Sequence, residues 1–375
     1  MTNARRKVED IVVIPENSEK LLNQRQLEDY RQFREDLIKW VCHLGKDPDR
    51  AEGYAYDTAR QRLYKVDRFY RWLWTDVEDG YTLAVTTDHA DQYSKELVYE
   101  ETSQTHKAGV QKAIKTLFKY LNHEKGRDID WKPEIQFTNG GSNTHQIRDF
   151  LTDDERRKIK QAVLEYGSIP HYNTVTPEER EKWKAHLAQR YEKPKTEVTK
   201  QDWKRANGWK FPSIVYTSMD AGFRPKEVGR AKTTWLDLEN GMLRIPKEES
   251  TKNTDNWLVA LSDRTATMLR KWLSERENYE KYRGTDQLWL TQYGNPYGSE
   301  SLNHHLEKLC EEAGIPTKNR DISWYSIRHS VGTKMSREQG PAAVQQQLRH
   351  KTNDMAMRYD QAPVKERKST VNNWD

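Results

Sequence analysis

The stretch Leu348-Arg349-His350, followed by Met357-Arg358-Tyr359, sets a histidine nine positions before a tyrosine (359 − 350 = 9). Upstream of it stands Tyr325-Ser326-Ile327-Arg328-His329-Ser330. Further back stands Ala221-Gly222-Phe223-Arg224-Pro225-Lys226-Glu227, with its arginine 104 positions before the second one (328 − 224 = 104). Arginine, arginine, histidine and tyrosine therefore follow one another in the second half of the chain.

These residue types suit one kind of chemistry. The non-bridging oxygens of a phosphodiester carry charge that moves and grows as a fifth ligand approaches phosphorus. Guanidinium groups answer this, because each offers a planar fork of donors and stays charged. Arg224 and Arg328 are the candidates, and His350 is a further donor to the same oxygens. A phenol with a pKa near ~10 becomes a better nucleophile beside several cations, which suits Tyr359. The departing sugar oxygen needs a proton, and a lysine on a hairpin turn can supply it. Lys252 is the first candidate for that acid and Lys247 the second. The scheme asks for no metal and no cofactor. His304 and His305 are adjacent and diverge on a helix, and Asp88-His89-Ala90-Asp91 has no partner of matched spacing. Neither a Gly-x-x-x-x-Gly-Lys-Ser/Thr phosphate loop nor a Gly-x-Ser-x-Gly elbow is present, which disfavours nucleotide hydrolysis and serine esterase chemistry.

Working outward, the 375 residues suffice for two domains of ordinary size. The net charge of +5 is mildly basic, so a surface facing a polyanion has to be a local patch. The 13 Trp and 19 Tyr supply much of the core. Two distant cysteines, Cys42 and Cys310, argue against a disulfide framework and for a reducing, cytoplasmic setting. No long apolar run predicts a membrane span, and the basic start Arg5-Arg6-Lys7 lacks the apolar segment of a signal peptide.

Residues 1–22 read as an N-terminal arm. Residues 23–124 read as a helical domain, with helices over 24–43, 57–74, 88–99 and 103–123. Lys112, Lys115 and Lys119 form a row along the last of these, and Arg68 decorates the second; all four are candidates for contact with DNA. Residues 125–149 lose periodicity and contain Asn139-Gly140-Gly141-Ser142-Asn143, which predicts a linker. Residues 150–375 read as a second, mostly helical domain. Thr152 and Glu155 have the spacing of a capping box, as do Thr176 and Glu179 within a polar insertion over 168–200. A helix over Phe211–Met219 stops at Gly222, and Pro225 opens the next. Asn240-Gly241 between alternating runs predicts a hairpin, with a third strand over Trp257–Leu261 and Lys252 on the second turn. Helices then follow around Met268–Leu273, Leu302–Ala313, Ser326–Arg337 and Pro341–Leu348. The fold class is mainly α (α+β): a helical domain, then a mostly helical domain carrying a small three-stranded antiparallel sheet.

In this order the motifs resemble the tyrosine recombinase (phage integrase) family over nearly the full chain. The resemblance implies a helical core-binding domain, a linker and a catalytic domain that clamp double-stranded DNA. It implies a site-specific recombinase that cleaves and rejoins strands through a 3′-phosphotyrosine, without metal or ATP. Four protomers would meet in a synapse, each possibly a monomer beforehand. The family's Gly-x-Arg-x-x-Glu is matched by Gly222, Arg224 and Glu227, its turn lysine by Lys252, its His-x-x-Arg box by Tyr325 to Arg328. Its Leu-Gly-His is matched by Leu348-Arg349-His350 and its nucleophile by Tyr359. Two departures stand out. Tyr325 replaces a histidine that helps manage the nucleophile's proton, and Arg349 replaces a glycine, which is expected to alter the turn before His350. A type IB topoisomerase-like relaxase and a catalytically decayed DNA-binding protein of the same fold are the alternatives.

Overall fold

The computed structural model describes residues 6–138, 149–250 and 255–350. The chain divides into two compact units, residues 1–145 and 146–375.

In the first unit, a hairpin of β1 (Lys7–Val8) and β2 (Ile11–Val12) precedes α1 (Glu16–Glu19), α2 (Gln24–His43), α3 (Tyr56–Trp72), α4 (Thr87–Tyr99) and α5 (Gln104–Lys125). Side-chain caps set the starts: Asn23 and Gln26 form a reciprocal capping box at α2, Thr86 caps α4 and Ser103 caps α5. The α3 helix runs on into one π-helical turn, Leu73–Val77, which places Trp74 in the core. Apolar positions at helical spacing, among them Leu63, Val66, Tyr70, Ile114, Leu117 and Leu121, meet in one cluster.

The arm expected over 1–22 takes a different form in its described part. Ile11 and Val13 are buried in the helical core, and Arg34, itself fully buried, donates to the Val13 carbonyl at 2.9 Å. Burying these side chains outweighs the entropy of a loose end. The described part of the expected linker is likewise bound to the first unit. Trp131 is buried and donates to Asp91 at 3.1 Å, while Asn122 pairs with both backbone groups of Ile129 at 2.9 Å.

In the second unit α6 (Asp153–Ala162) starts on the expected Thr152–Glu155 box. The insertion contributes α7 (Pro177–Arg190) and α8 (Lys200–Lys204), which share a small core of their own around Trp183, Leu187 and Trp203. Then come α9 (Lys210–Ala221), apolar nearly all round, and α10 (Pro225–Arg230). The sheet has the order β3 (Leu236–Asp237), β4 (Met242–Ile245), β5 (Trp257–Ala260), antiparallel throughout, with Leu243 opposite Leu236 on one side and Val259 on the other. Leu243, Ile245 and Val259 face the core, and Arg244 and Leu258 face solvent. The first turn keeps four residues, 238–241, between the strands. Gly241 takes a φ of +61°, and the Asp237 side chain accepts from the Asn240 backbone at 3.2 Å. Helices α11 (Asp263–Arg276), α12 (Ser299–Glu312), α13 (Trp324–Gln339) and α14 (Pro341–Leu348) complete the unit. α11, α12 and the start of α13 enclose α9 and one face of the sheet in one core, and α14 packs on α13 in a small separate cluster of Val331, Val344 and Leu348.

Candidate active site

The site is built where α9 stops. Gly222 ends that helix with φ +58°, a conformation that penalises a side chain. A Cβ there would also lie 2.2 Å from Leu348 Cδ2. The close approach of α14 to this turn therefore depends on the glycine, and it leaves the Gly222 carbonyl facing Arg328. Arg328, on the second turn of α13, is wholly buried. Its Nη1 donates to Gly222 O at 2.7 Å, and its Nη2 donates to the Leu348 carbonyl. One guanidinium thus ties together residues from three helices' ends.

Arg224 sits at the N-cap of α10 in extended conformation, with Pro225 at the first helical position. Its own side chain cannot accept a bond from the helix, so Glu227 does. The Glu227 Oε2 accepts the Arg224 backbone N–H at 2.7 Å, and Oε1 accepts Arg224 Nη1 at 2.9 Å. Glu227 is buried at 4% exposure, so its charge requires partners. Among the described residues these include Arg224, Arg328 with Nη1 at 3.8 Å, and Arg349 with Nη2 at 2.7 Å. Burial pushes its carboxyl upward, but Arg349, then Arg328 and Arg224, outweigh that and hold it well below the ordinary glutamate value.

Arg349 is the residue whose importance the sequence reading understated. It caps α14 in the left-handed region with φ +56°. The turn suited to glycine is therefore kept, not altered as expected, and the larger residue occupies it. Its fork grips Glu227 at both oxygens, Nε to Oε1 at 3.1 Å and Nη2 to Oε2 at 2.7 Å. Its Nη1 donates to Ala221 O at 2.9 Å and Gln347 O at 2.7 Å. A non-glycine residue at positive φ costs about 1–2 kcal/mol, which four charge-assisted bonds offset. His350 follows directly, 4% exposed, its backbone N–H bonded to Gln345 O at 2.9 Å.

Gln347 is a second residue that periodicity did not single out. Its amide nitrogen donates to Asp220 O and Ala260 O, both at 2.9 Å, and its oxygen accepts from Ala260 N at 3.2 Å. It fastens α14 to strand β5 and to the end of α9. A buried amide one step before Leu348 was the available signal.

Tyr325 lies in the first turn of α13, its ring edge-on to His329 at 5.3 Å. With Arg224, Pro225, Lys226, Ser299, Asn303 and Ser323 it lines a cavity of about 320 Å³. Arg224 and Arg328 thus meet on Glu227, Tyr325 lines a cavity with Arg224, and His350 follows Arg349 in the chain. Lys252 and Tyr359 lie outside the described residues. Lys247, the second candidate acid, sits in a short 3₁₀ turn after β4 and its backbone N–H bonds Asn256 Oδ1 at 2.9 Å.

Among the first unit's candidates, Lys112, Lys115 and Lys119 are exposed along α5. Lys119 Nζ also donates to Lys46 O at 2.9 Å, and Arg68 pairs with Glu100 at 2.6 Å. Among the described residues no group of acidic, histidine or cysteine side chains is placed to hold a metal ion, and no helix is long and apolar enough to cross a membrane.

Residues 211–366 match the phage integrase family model. The tyrosine recombinase XerA of Saccharolobus solfataricus is 27% identical over 139 residues, 37% of this chain and 41% of that protein. The match thus spans less than half the length of that relative. Among solved structures, the XerH site-specific recombinase bound to palindromic difH substrate is 15% identical, with TM-score 0.57 over 94% of this chain and 90% of its own. The Tn1549 transposon integrase in complex with transposon right end DNA is 12% identical, with TM-score 0.53 over 89% and 99%. At these identities the two structures speak for the fold.

Proposed function

We propose that this chain, which carries a phage integrase family domain over residues 211–366, is a site-specific DNA recombinase acting on double-stranded DNA through a covalent tyrosine intermediate. Arg224 and Arg328 hold the non-bridging oxygens of the scissile phosphate, and His350 donates to the same group. Their charge is in place before the reaction, so it stabilises the growing negative charge without reorganisation. Tyr359 attacks phosphorus and leaves a 3′-phosphotyrosine. Lys252 gives a proton to the departing 5′ oxygen. A 5′-hydroxyl from a partner strand reverses the step, so bond energy is conserved and neither ATP nor a metal is consumed. Tyr325 lies beside Arg224 as a hydrogen-bonding phenol where the family has a histidine. Exchange between two duplexes takes four protomers.

The observation that carries this reading is the packing of Arg328 and Arg224 around the buried Glu227, with His350 adjoining. The test is incubation with a suicide DNA substrate followed by a denaturing gel. Wild type forms a covalent adduct and Tyr359→Phe forms none. An adduct that persists in Tyr359→Phe rules out the assigned nucleophile. Relaxation of supercoiled DNA at equal yield without a cognate site would favour the topoisomerase-like alternative.

A further inference from the structure

A buried cluster of one carboxylate and three guanidiniums carries two surplus positive charges (3 − 1 = 2) from Arg224, Arg328 and Arg349 against Glu227. The three arginines are not equivalent in their grip. Arg349 takes both carboxylate oxygens in a fork, and Arg224 bonds one oxygen through Nη1. Arg328 stands off at 3.8 Å and directs one donor from each terminal nitrogen to a carbonyl. Arg349 is 3% exposed, its Nη1 is bonded to two backbone oxygens, and its guanidinium lies 5.3 Å over the Phe223 ring. All three of its nitrogens are engaged, two by the one carboxylate and the third by backbone oxygens. Arg224 is 17% exposed and lines the cavity shared with Tyr325.

We propose that Arg349 is a positioning residue for the phosphate-binding site, a role that rests on the recombinase reading above. By occupying both oxygens of Glu227 it keeps that carboxylate from drawing Arg224 inward and from pulling Arg328 off its two carbonyls. Arg224 then touches the carboxylate at one oxygen and keeps its outward position. The same fork pins residue 349 in the left-handed turn, and His350, the next residue, inherits its orientation. Without the fork the net charge beside the phosphate falls from +2 to +1, and the two oxygens of Glu227 compete for the guanidiniums that the substrate needs. A bidentate guanidinium is required, because an ammonium is a point charge and satisfies one oxygen at a time.

The test compares full-length Arg349→Met, Arg349→Lys and the double variant Glu227→Gln/Arg349→Met. Single-turnover cleavage of a saturating suicide substrate is measured beside the Kd for the same DNA. Arg349→Met is expected to lose about 10- to 100-fold in the cleavage rate, the scale of a small misplacement of catalytic groups, with Kd within about twofold. Arg349→Lys recovers part of the rate. The double variant cleaves faster than Arg349→Met, because the competing carboxylate is gone. A residue that serves only the fold would make the double variant worse. Cleavage by Arg349→Met at the wild-type rate overturns the proposal, as does a double variant slower than the single one. Should Arg349→Met fail to fold, Arg349→Lys and Glu227→Gln/Arg349→Lys take the places of the single and double variants, and cleavage by Arg349→Lys at the wild-type rate, or a slower double, overturns the proposal. Absence of any adduct from wild type would instead sink the recombinase reading, and this role with it.

Discussion

A methyl group on Gly222 has nowhere to go, since Leu348 would stand 2.2 Å away and the backbone already has φ +58°. Gly222→Ala is expected to cost about 2–4 kcal/mol, from overpacking together with left-handed strain. Urea unfolding measures it, and a loss under about 1 kcal/mol would show that α14 yields easily. Glu227 makes a second prediction at this scale. Burial raises its carboxyl, but Arg349, Arg328 and Arg224 hold it beneath the ordinary 4.5. The unfolded chain therefore takes up the proton first as pH falls. The stabilising contribution is whole above pH 4.5 and is lost on the way down to the folded value. The urea midpoint should fall more steeply between pH 5 and pH 3 in wild type than in Glu227→Gln; equal slopes would contradict this. At this scale the sequence was legible where a motif has fixed spacing, as with Gly222, Arg224 and Glu227. It was not legible for Arg349, because a substituted glycine announces a changed turn and says nothing of a carboxylate 122 positions away.

Helices were the most legible elements, because caps and the 3.6-residue period are local properties. The boxes at Thr152 and Thr176 start α6 and α7 where expected. The β1–β2 hairpin was not legible, since strands of two residues leave no alternation to detect. Nor was the bound segment after α5, which is held by Trp131 and two polar pairings within an aperiodic stretch. The α5 helix itself carries a prediction. Its lysines 112, 115 and 119 are exposed on one side while Val110, Ile114, Leu117 and Leu121 are buried on the other. If that row meets the DNA backbone, each Lys→Gln change should weaken binding uniformly across sequences. It should also make the log–log salt slope shallower by about 0.9. Lys119 should show the smallest change, because its amine already bonds the Lys46 carbonyl. Unchanged slopes in all three variants would remove α5 from the DNA-facing surface.

Each unit encloses its own main core, and the second adds two small ones, around Trp183 in the insertion and around Val344 between α13 and α14. The mainly helical class could be read from periodicity. What could not be read is where Arg328 points, because two of its partners are backbone carbonyls, which every residue possesses. Those carbonyls belong to Gly222 and Leu348, 126 positions apart (348 − 222 = 126). A ribosome adding roughly 5–20 residues per second needs about 6–25 s to travel from one to the other. Throughout that interval the nascent polypeptide holds half of a clasp. A message cut short anywhere in this span yields a product in which Arg328, if made at all, has no second carbonyl to hold it.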